Sequence, residues 1–335
     1  MVSLRTLTKP GDPLRTRITD MLGVTYPIVQ GGMMWVGTAR LAAAVSNGGG
    51  FGIITALTQP TPEALWEEIG QCRSLTDRPF GVNLTMLPSI NPPPYDRYLD
   101  TIVRAKVAAI ETAGKVPQEF IAIAKAAGLK VIHKCVSLRH ALSAQKQGAD
   151  AISIDGFECA GHPGDDDVGG MVLIPAAARR LSVPIIASGG IGDGRGMAAA
   201  LTLGADGVNM GTRFCATREA PIHDNIKQAL VAASERDTRL IFRTMHNTAR
   251  VLRNSISEEV VAAEAKGCQF EDIRHLVAGQ RGREALVAGD PNGGVIAAGQ
   301  VVGLIDDIPT CAELIERMVS ECRERLRHGL LAMSA

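Results

Sequence analysis

One histidine in the middle of the chain combines the residue type and the setting that proton transfer needs. His162 lies in the loop Asp155-Gly-Phe-Glu-Cys-Ala-Gly-His-Pro-Gly164, which directly follows the apolar run 151–155. An imidazole titrates near neutral pH, and small neighbours allow a ligand to approach the backbone around it. A histidine in a glycine-rich loop is also a common surface residue. His162 is therefore a catalytic candidate only if other functional groups converge on it.

Two further loops carry glycines that could hold a phosphate group. The sequences Ser188-Gly-Gly190 and Met210-Gly-Thr212 each end a short apolar run, and their glycines leave main-chain N–H groups accessible to an anion. A helix predicted to begin near Asp193 would add the positive end of its dipole. One such glycine loop alone indicates only a tight turn, whereas two of them at strand ends predict a phosphate cradle. The run 189–196 lacks the GxGxxG spacing, so a Rossmann NAD site is not supported.

The sequence Gln30-Gly-Gly-Met-Met-Trp35 and the side chain of Asn83 suit a planar heterocycle. Glycines after the first apolar run would let the backbone pack flat against a ring system, with Met33 and Met34 covering its edge. The amide of Asn83 both donates and accepts hydrogen bonds, as the mixed edge of a heterocycle demands. The alternatives at these positions are a βα turn with buried methionines and an asparagine that caps the next segment.

His133 and Lys134 end another apolar run, and strand side chains alternate, so only one of them can face the glycine loops. A lysine costs more to bury unpaired, so we place Lys134 in the site beside a negative charge and His133 between sheet and helix. Asp155 is expected to orient the histidine loop by accepting backbone hydrogen bonds. Three carboxylates at 165–167 lack a companion ligand cluster, which indicates a solvated loop rather than a metal site.

Eight short apolar runs alternate with helical stretches and predict the strands that must position these residues. The helical stretches, such as 39–46, 62–72, 117–127 and 138–147, are rich in alanine and leucine. Eight βα units in roughly the first 215 residues favour a closed (β/α)8 barrel over an open doubly wound sheet. In such a barrel the functional residues meet where the strands end. The predicted strands are residues 26–30, 51–55, 80–84, 107–111, 130–134, 151–155, 184–188 and 207–210.

The alternation stops after the eighth strand. Residues 221–286 are polar and mostly helical, and we predict a small inserted domain that covers the active-site side of the barrel. The barrel domain would then be discontinuous and consist of residues 1–220 and 287–335. The apolar helical stretch near the C-terminus is expected to complete the outer ring of helices.

Composition narrows the class of protein. The 335 residues are 46% hydrophobic but only 4% aromatic, as expected for parallel strands covered by helices. Thirty-five basic residues balance thirty-five acidic ones, which argues against nucleic acid as a partner and favours small molecules. The seven scattered cysteines, the absence of an apolar signal region in residues 1–17 and the absence of a membrane-length apolar run predict a cytoplasmic location. The oligomeric state stays open, and a homo-oligomer is allowed.

The motifs above together resemble the nitronate monooxygenase family, formerly called 2-nitropropane dioxygenases. This resemblance covers nearly the whole chain and includes Gly81-Val-Asn-Leu-Thr85 and Asn209-Met-Gly-Thr-Arg213. It implies a flavin-dependent TIM barrel with tightly bound FMN, whose phosphate lies at the two glycine loops. With His162 as the catalytic residue and no metal, the implied cofactor residues are Gly32, Met33, Met34, Asn83, Lys134, Asp155, Ala160, Gly161, Ser188, Gly189, Gly190, Met210, Gly211 and Thr212.

The resemblance is strongest to a bacterial subgroup of FMN-dependent NADH:quinone reductases. In that subgroup NADH supplies hydride and a quinone receives the electrons, so His162 would mainly steady charge near the flavin, and NADPH is the other candidate donor. The first alternative is a nitronate monooxygenase that oxidises alkyl nitronates with O2, with His162 as base. A further alternative is an FMN-dependent enoyl-acyl-carrier-protein reductase. An alternative from another class is a non-catalytic barrel that binds a phosphorylated metabolite.

Overall fold

The computed structural model describes residues 12–86 and 92–332, and the first part of the N-terminal segment discussed above lies outside these ranges. All eight predicted strands are present and parallel, in the order β1-β8-β7-β6-β5-β4-β3-β2. The prediction of a (β/α)8 barrel is therefore confirmed. The strands are β1 (Ile28–Gln30), β2 (Gly52–Thr55), β3 (Phe80–Met86), β4 (Ala109–Gly114), β5 (Lys130–Cys135), β6 (Ala151–Asp155), β7 (Ile185–Ser188) and β8 (Gly207–Met210).

Main-chain contacts between β1 and the start of β2 close the barrel. Gln30 donates its N–H to Phe51 O at 3.0 Å, and Phe51 donates its own to Ile28 O at 2.8 Å. Apolar side chains from the strands fill the lower interior, where Ile18 and Leu22 join them in one buried cluster. The short helix that carries these two residues thus plugs the N-terminal end of the barrel. The opposite end, where the strands finish, is left for a site.

Helices follow the strands as the sequence predicted, and their ends carry local stop signals. Ser137 accepts a hydrogen bond from His140 N–H, and Gly148 takes a left-handed conformation, so the helix between them begins and ends where its capping residues stand. The helices are α1 (Arg17–Leu22), α2 (Ala39–Asn47), α3 (Pro62–Leu75), α4 (Tyr95–Ala105), α5 (Gln118–Ala126), α6 (Leu138–Gln147), α7 (Gly170–Ala178), α8 (Gly194–Thr202), α9 (Thr212–Cys215), α10 (Asp224–Ala232), α11 (Ser255–Glu264), α12 (Phe270–Val277), α13 (Gly279–Ala288) and α14 (Cys311–Ala332).

Helix α14 packs against both α8 and α2 and so completes the ring of helices around the strands. Most of the core lies between this ring and the outer face of the sheet, in two large apolar clusters. Within the residues that the structure describes, no helix is both long and apolar enough to cross a lipid bilayer.

Residues 221–286, which we call the insertion, are mostly helical but also contain a β-hairpin that the sequence did not predict. Its strands are β9 (Thr238–Ile241) and β10 (Ala249–Leu252), which pair antiparallel. The hairpin and helices α11 and α12 share a separate apolar cluster that includes Val251, Val260 and Ile273. Each strand spans only four residues and carries an arginine, so neither shows the apolar run that marks a buried strand.

Candidate active site

A cavity of about 1070 Å³ opens at the carboxyl ends of the barrel strands, between the strand-end loops and the insertion. Its size is that of a site for a cofactor together with a substrate. His162 and every predicted cofactor residue line this single cavity. Those residues are Gly32, Met33, Met34, Asn83, Lys134, Asp155, Ala160, Gly161, Ser188, Gly189, Gly190, Met210, Gly211 and Thr212. The structure thus brings together residues that lie as far apart as 32 and 212 in the sequence.

The imidazole of His162 projects into the cavity from the loop after β6. The side chain is exposed toward the cavity space, yet the surrounding walls restrict its hydration and lower the pKa of His162 below 6.5. The neutral form therefore predominates at neutral pH. Among the described residues His162 has no hydrogen-bond partner, so both ring nitrogens can engage a ligand.

The insertion holds the histidine loop through main-chain hydrogen bonds. Gly161 N–H donates to Arg250 O at 3.1 Å, and Arg250 N–H donates to Gly161 O at 2.6 Å. The guanidinium of Arg250 donates to Phe157 O at 3.0 Å and lies 4.5 Å from the centre of the Phe157 ring. Its third contact is a 3.1 Å hydrogen bond to the Thr238 hydroxyl. Arg250 is 3% exposed, so this arginine is part of the support beneath the loop rather than a surface group.

Two carboxylates that sequence analysis assigned to a solvated loop are anchors for the insertion. Asp167 forms an ion pair with Arg243 at 2.7 Å, and Asp165 accepts a hydrogen bond from the Thr248 hydroxyl. The solvated-loop interpretation was therefore incomplete, because partners more than 75 residues away could not be read from the local sequence. With the Gly161 pair, these contacts tie residues 161–167 to the hairpin at three points.

Lys134 extends into the cavity, with its ammonium nitrogen 3.9 Å from Asp155 Oδ2. Burial alone would lower the pKa of Lys134, but the carboxylates of Asp155 and Glu111 outweigh it and raise that pKa, so the lysine is charged. Burial raises the pKa of Asp155, and Lys134 opposes this effect. Asp155 Oδ1 is buried and has no hydrogen-bond partner within the described chain. An unpaired buried carboxylate oxygen marks a place where a ligand donor fits.

His133 packs away from Lys134, as strand alternation predicted. Its Nδ1 lies 2.8 Å from the Thr112 hydroxyl, and the side chain is only 9% exposed. Burial, with a contribution from the nearby His140, lowers the pKa of His133 to about 4. His133 is therefore a neutral structural residue.

A buried carboxylate beneath the cavity is a residue that sequence analysis missed. Glu111 is completely buried, and its two oxygens accept hydrogen bonds from Gly32 N–H at 2.9 Å, from the Asn83 amide at 2.8 Å and from the Asn209 amide at 3.0 Å. The Asn209 amide also donates to Ser153 Oγ. Glu111 thereby connects the loop after β1 with β3 and β8 and fixes the floor of the cavity. A charged residue inside an apolar run was the one available signal.

The loops after β7 and β8 present main-chain N–H groups without partners. No residue of 12–86 or 92–332 accepts a hydrogen bond from the N–H of Gly189, Gly190 or Gly211. Gly189 has φ +89°, and a Cβ atom there would meet the Cβ of Cys159 and the carbonyl oxygen of Gly156 at 3.0 Å. Only glycine allows this loop to pass so close to the histidine loop. Free donors in a curved backbone suit an anion.

The N-terminus of α8, which was expected to add its dipole to this cradle, is already bonded to carboxylates of the chain. At the start of α8, Gly196 N–H donates to the capping Asp193 at 2.8 Å, and Gly194 N–H donates to Glu321 at 2.9 Å. Arg195 also pairs with Glu321. Two carboxylates thus occupy N–H groups at the positive end of α8, and among the described residues the free donors of the two glycine loops are those of Gly189, Gly190 and Gly211.

Comparison with known protein families identifies the family to which this chain belongs. The model of the nitronate monooxygenase family matches residues 15–102 and 86–321. The chain belongs to the nitronate monooxygenase family. This membership confirms the resemblance inferred from the motifs.

The relatives of this chain are named for several different activities. A (3aS,4S,5R,7aS)-5-hydroxy-7a-methyl-1-oxo-octahydro-1H-indene-4-carboxyl-CoA dehydrogenase of Rhodococcus jostii is 35% identical, over 93% of this chain and 97% of that protein. A Staphylococcus aureus protein named "Probable nitronate monooxygenase" is 33% identical, over 73% of this chain and 80% of its own length. The solved structure of FabK from Thermotoga maritima has a TM-score of 0.88 and 38% identity, over 94% of this chain and 98% of that chain. The chain is therefore an oxidoreductase, which excludes a non-catalytic binding barrel.

Proposed function

We propose that this protein is an FMN-dependent oxidoreductase that takes electrons from NADH or NADPH and passes them to a small acceptor. The observation that carries the proposal is a single cavity that joins His162, the unpaired Asp155 oxygen and the free N–H groups of two glycine loops. When bound, FMN supplies the two-electron chemistry that no amino-acid side chain provides.

The residues present fit this cofactor. Gly189, Gly190 and Gly211 offer free N–H donors for a phosphate, and Thr212 adds a hydroxyl that already accepts a hydrogen bond from Gly299 N–H at 3.0 Å. Gly161 has φ +71° and nothing within 4 Å of the position of a Cβ atom, so its bare backbone borders open cavity space where a flat ring can pass.

The charged and titratable side chains have separate parts in the proposal. Lys134 places a permanent positive charge beside Asp155 and stabilises negative charge that develops in the cavity. Neutral His162 can accept a proton from a substrate or steady charge as it forms. The methionines of the loop after β1 cover the remaining apolar edge.

We also propose that residues 221–286 act as a separate cover domain over the barrel formed by 1–220 and 287–335. Support comes from the separate apolar cluster of the hairpin, α11 and α12 and from the contacts of the hairpin with the histidine loop, although α10 packs in the large apolar cluster of the barrel. The hairpin loop places His246, Asn247 and Thr248 in the cavity wall. Such a cover excludes water from the space above the strand ends.

The electron acceptor is the least constrained part of the proposal. A quinone is the first candidate, because the motifs most resemble the NADH:quinone reductase subgroup. An enoyl thioester is the second, since the Rhodococcus relative, aligned over nearly its full length, is named as a carboxyl-CoA dehydrogenase and so uses a thioester in the oxidative direction. An alkyl nitronate would instead replace the nicotinamide nucleotide as electron donor, with O2 as the acceptor, an alternative favoured by the family model and the Staphylococcus relative. These alternatives share the cofactor residues and differ only in the substrate that binds next to the cofactor.

Anaerobic mixing of the purified protein with each donor tests this proposal. We expect the protein to be yellow, to release FMN on denaturation and to lose its flavin absorbance rapidly with NADH or NADPH. Reoxidation by a quinone, an enoyl thioester or oxygen then identifies the acceptor. Rapid bleaching by an alkyl nitronate together with none by either nicotinamide nucleotide would show that the donor assignment is wrong. A colourless protein that binds no added FMN would contradict the whole proposal.

A further inference from the structure

An arginine of the insertion stacks on a tryptophan at the rim of the cavity. The guanidinium carbon of Arg283, on α13, lies 4.9 Å from the centre of the Trp35 ring, in the loop after β1. Trp35 lines the cavity, whereas Arg283 is exposed and is not among the lining residues. The contact therefore joins the loop after β1 of the barrel to the insertion.

The backbone at Trp35 is held in an unusual conformation. Trp35 has φ +67°, a left-handed conformation that residues other than glycine rarely adopt. The strained turn persists because Trp35 N–H donates to the Thr58 hydroxyl at 3.0 Å and Gly37 N–H donates to Met33 O at 2.8 Å. Backbone strain that neighbouring contacts maintain is typical of ligand-binding positions. Here it presents an indole ring at the rim.

Arg283 differs from the paired arginines around it. Arg239, Arg243, Arg253 and Arg274 each form an ion pair with a carboxylate. Arg281 donates to the carbonyl of Gly293 at 2.7 Å. Arg283 is exposed and forms no ion pair with any described residue, although it lies next to Gly282 of the cavity wall. Stacking fixes its guanidinium plane while all of its N–H donors stay free for an anion.

The carboxylates of the cavity wall are held by donors of the chain itself, so they do not compete for Arg283. The carboxylates of Glu158 and Asp165 are engaged, by Gly170 N–H and by the Thr248 hydroxyl respectively, and Asp155 faces Lys134. Lys115 also lines the cavity, and its side chain has no ion pair in the described part of the chain. Lys115 and Arg283 are therefore cations without an ion-pair partner among the described residues, whereas each of these carboxylates already accepts a hydrogen bond or faces a cation.

We infer that Trp35 and Arg283 form the binding site for the phosphate-bearing nucleotide portion of the second substrate, outside the cofactor. The indole ring suits an adenine ring because the two can stack. The guanidinium suits a phosphate group because it binds oxyanions through paired N–H donors. Both nicotinamide nucleotides and coenzyme A thioesters carry this chemistry. The inference builds on the proposed function, since it names the part of the substrate that this rim recognises.

Arg283→Glu and Arg283→Gln variants test the site with donors that do and do not carry phosphates. The rate constant for anaerobic flavin reduction is measured with NADH, NADPH and the phosphate-free N-benzyl-1,4-dihydronicotinamide. A lost charge–phosphate contact at a rim is expected to lower the NADH or NADPH rate constant about tenfold in Arg283→Gln and more in Arg283→Glu. The benzyl analogue should react within about twofold of the unmodified enzyme, because it has no group for Arg283 to bind.

A coenzyme A titration distinguishes the two sources of the nucleotide. If Arg283→Glu weakens coenzyme A binding and leaves the NADH and NADPH rates unchanged, the site serves a thioester substrate. Arg274→Gln, an exposed paired arginine of the neighbouring helix, is the matched control and should change neither value. The inference would be overturned if the Arg283 variants lowered the rate constants with NADH and with the benzyl analogue equally. It would also be overturned if they changed neither the NADH and NADPH rate constants nor coenzyme A binding, and the stack would then be a structural contact. Failure of every donor to reduce the unmodified protein would instead contradict the proposed function, and the coenzyme A arm would still test this site.

Discussion

Gly161 and Arg250 exchange two main-chain hydrogen bonds, at 3.1 and 2.6 Å, across 89 positions of sequence. Gly161 precedes the catalytic candidate His162, and Arg250 lies in β10 of the insertion. The histidine loop and the hairpin are therefore one hydrogen-bonded unit. The position of the imidazole depends on a segment that lies outside the barrel.

Replacement of Arg250 should loosen this unit. Arg250→Ala leaves Phe157 O and the Thr238 hydroxyl without their buried donor, so we expect the free energy of unfolding to fall by about 2 to 3 kcal/mol. Hydrogen exchange of residues 156–169 should rise more than exchange elsewhere. Arg253→Lys is the control, because its ion pairs are exposed and contribute about 0 to 1 kcal/mol. Unchanged exchange in this loop would show that Arg250 does not position it.

His162→Ala should lower turnover about a hundredfold or more while the flavin stays bound, because the imidazole transfers protons or steadies charge but is not the main cofactor contact. Burial lowers the pKa of His162 from its ordinary value, so activity that needs the neutral form is retained at neutral pH and falls as the pH drops through the lowered pKa. The measurement is kcat against pH with the preferred donor. Exposed His275→Gln is the control, and an acid limb that persists in His162→Ala would assign it to another group.

Glu111→Gln should weaken the cavity floor. Both carboxylate oxygens of Glu111 accept hydrogen bonds, so either orientation of a glutamine amide sets an N–H group against another donor. We expect a loss of about 1 to 3 kcal/mol in the free energy of unfolding and lower flavin content after purification. The exposed Glu67→Gln should change the unfolding free energy by less than about 0.5 kcal/mol. Equal behaviour of the two variants in urea denaturation would contradict the assigned role.

Three glycine-to-alanine variants separate backbone strain from steric contact. At Gly161 alanine meets open space but must adopt φ +71°, which costs about 1 to 2 kcal/mol. At Gly189 the same strain is joined by 3.0 Å contacts to Cys159 and Gly156, so stability and flavin retention should fall further. Gly70, exposed on α3 with open space around it, is the control and should gain about 0.5 to 1 kcal/mol as alanine. Thermal unfolding gives the order, and a more stable Gly189→Ala would refute this reading of the loop.

The strands were predictable because each is buried on both faces and stands out as an apolar run. The first residues of the strands were harder to predict. Strands β1 and β7 begin only after Pro27 and Pro184, because proline has no N–H group to donate to the ladder. The hairpin was missed because Arg250 is buried inside a four-residue strand, where its charge conceals the pattern. Glu111 was missed for a related reason. Its partners lie 28, 79 and 98 positions away, so only the closed barrel shows that the charge is satisfied.

The helix that completes the outer ring, α14, comes after the whole insertion in the chain, yet it covers α2 and α8. During synthesis the apolar flanks of those two helices stay uncovered while the residues between β8 and α14 are being made. A nascent barrel of this kind needs shielding from aggregation over that interval. The outer ring of helices is complete only after translation has passed residue 311, where α14 begins.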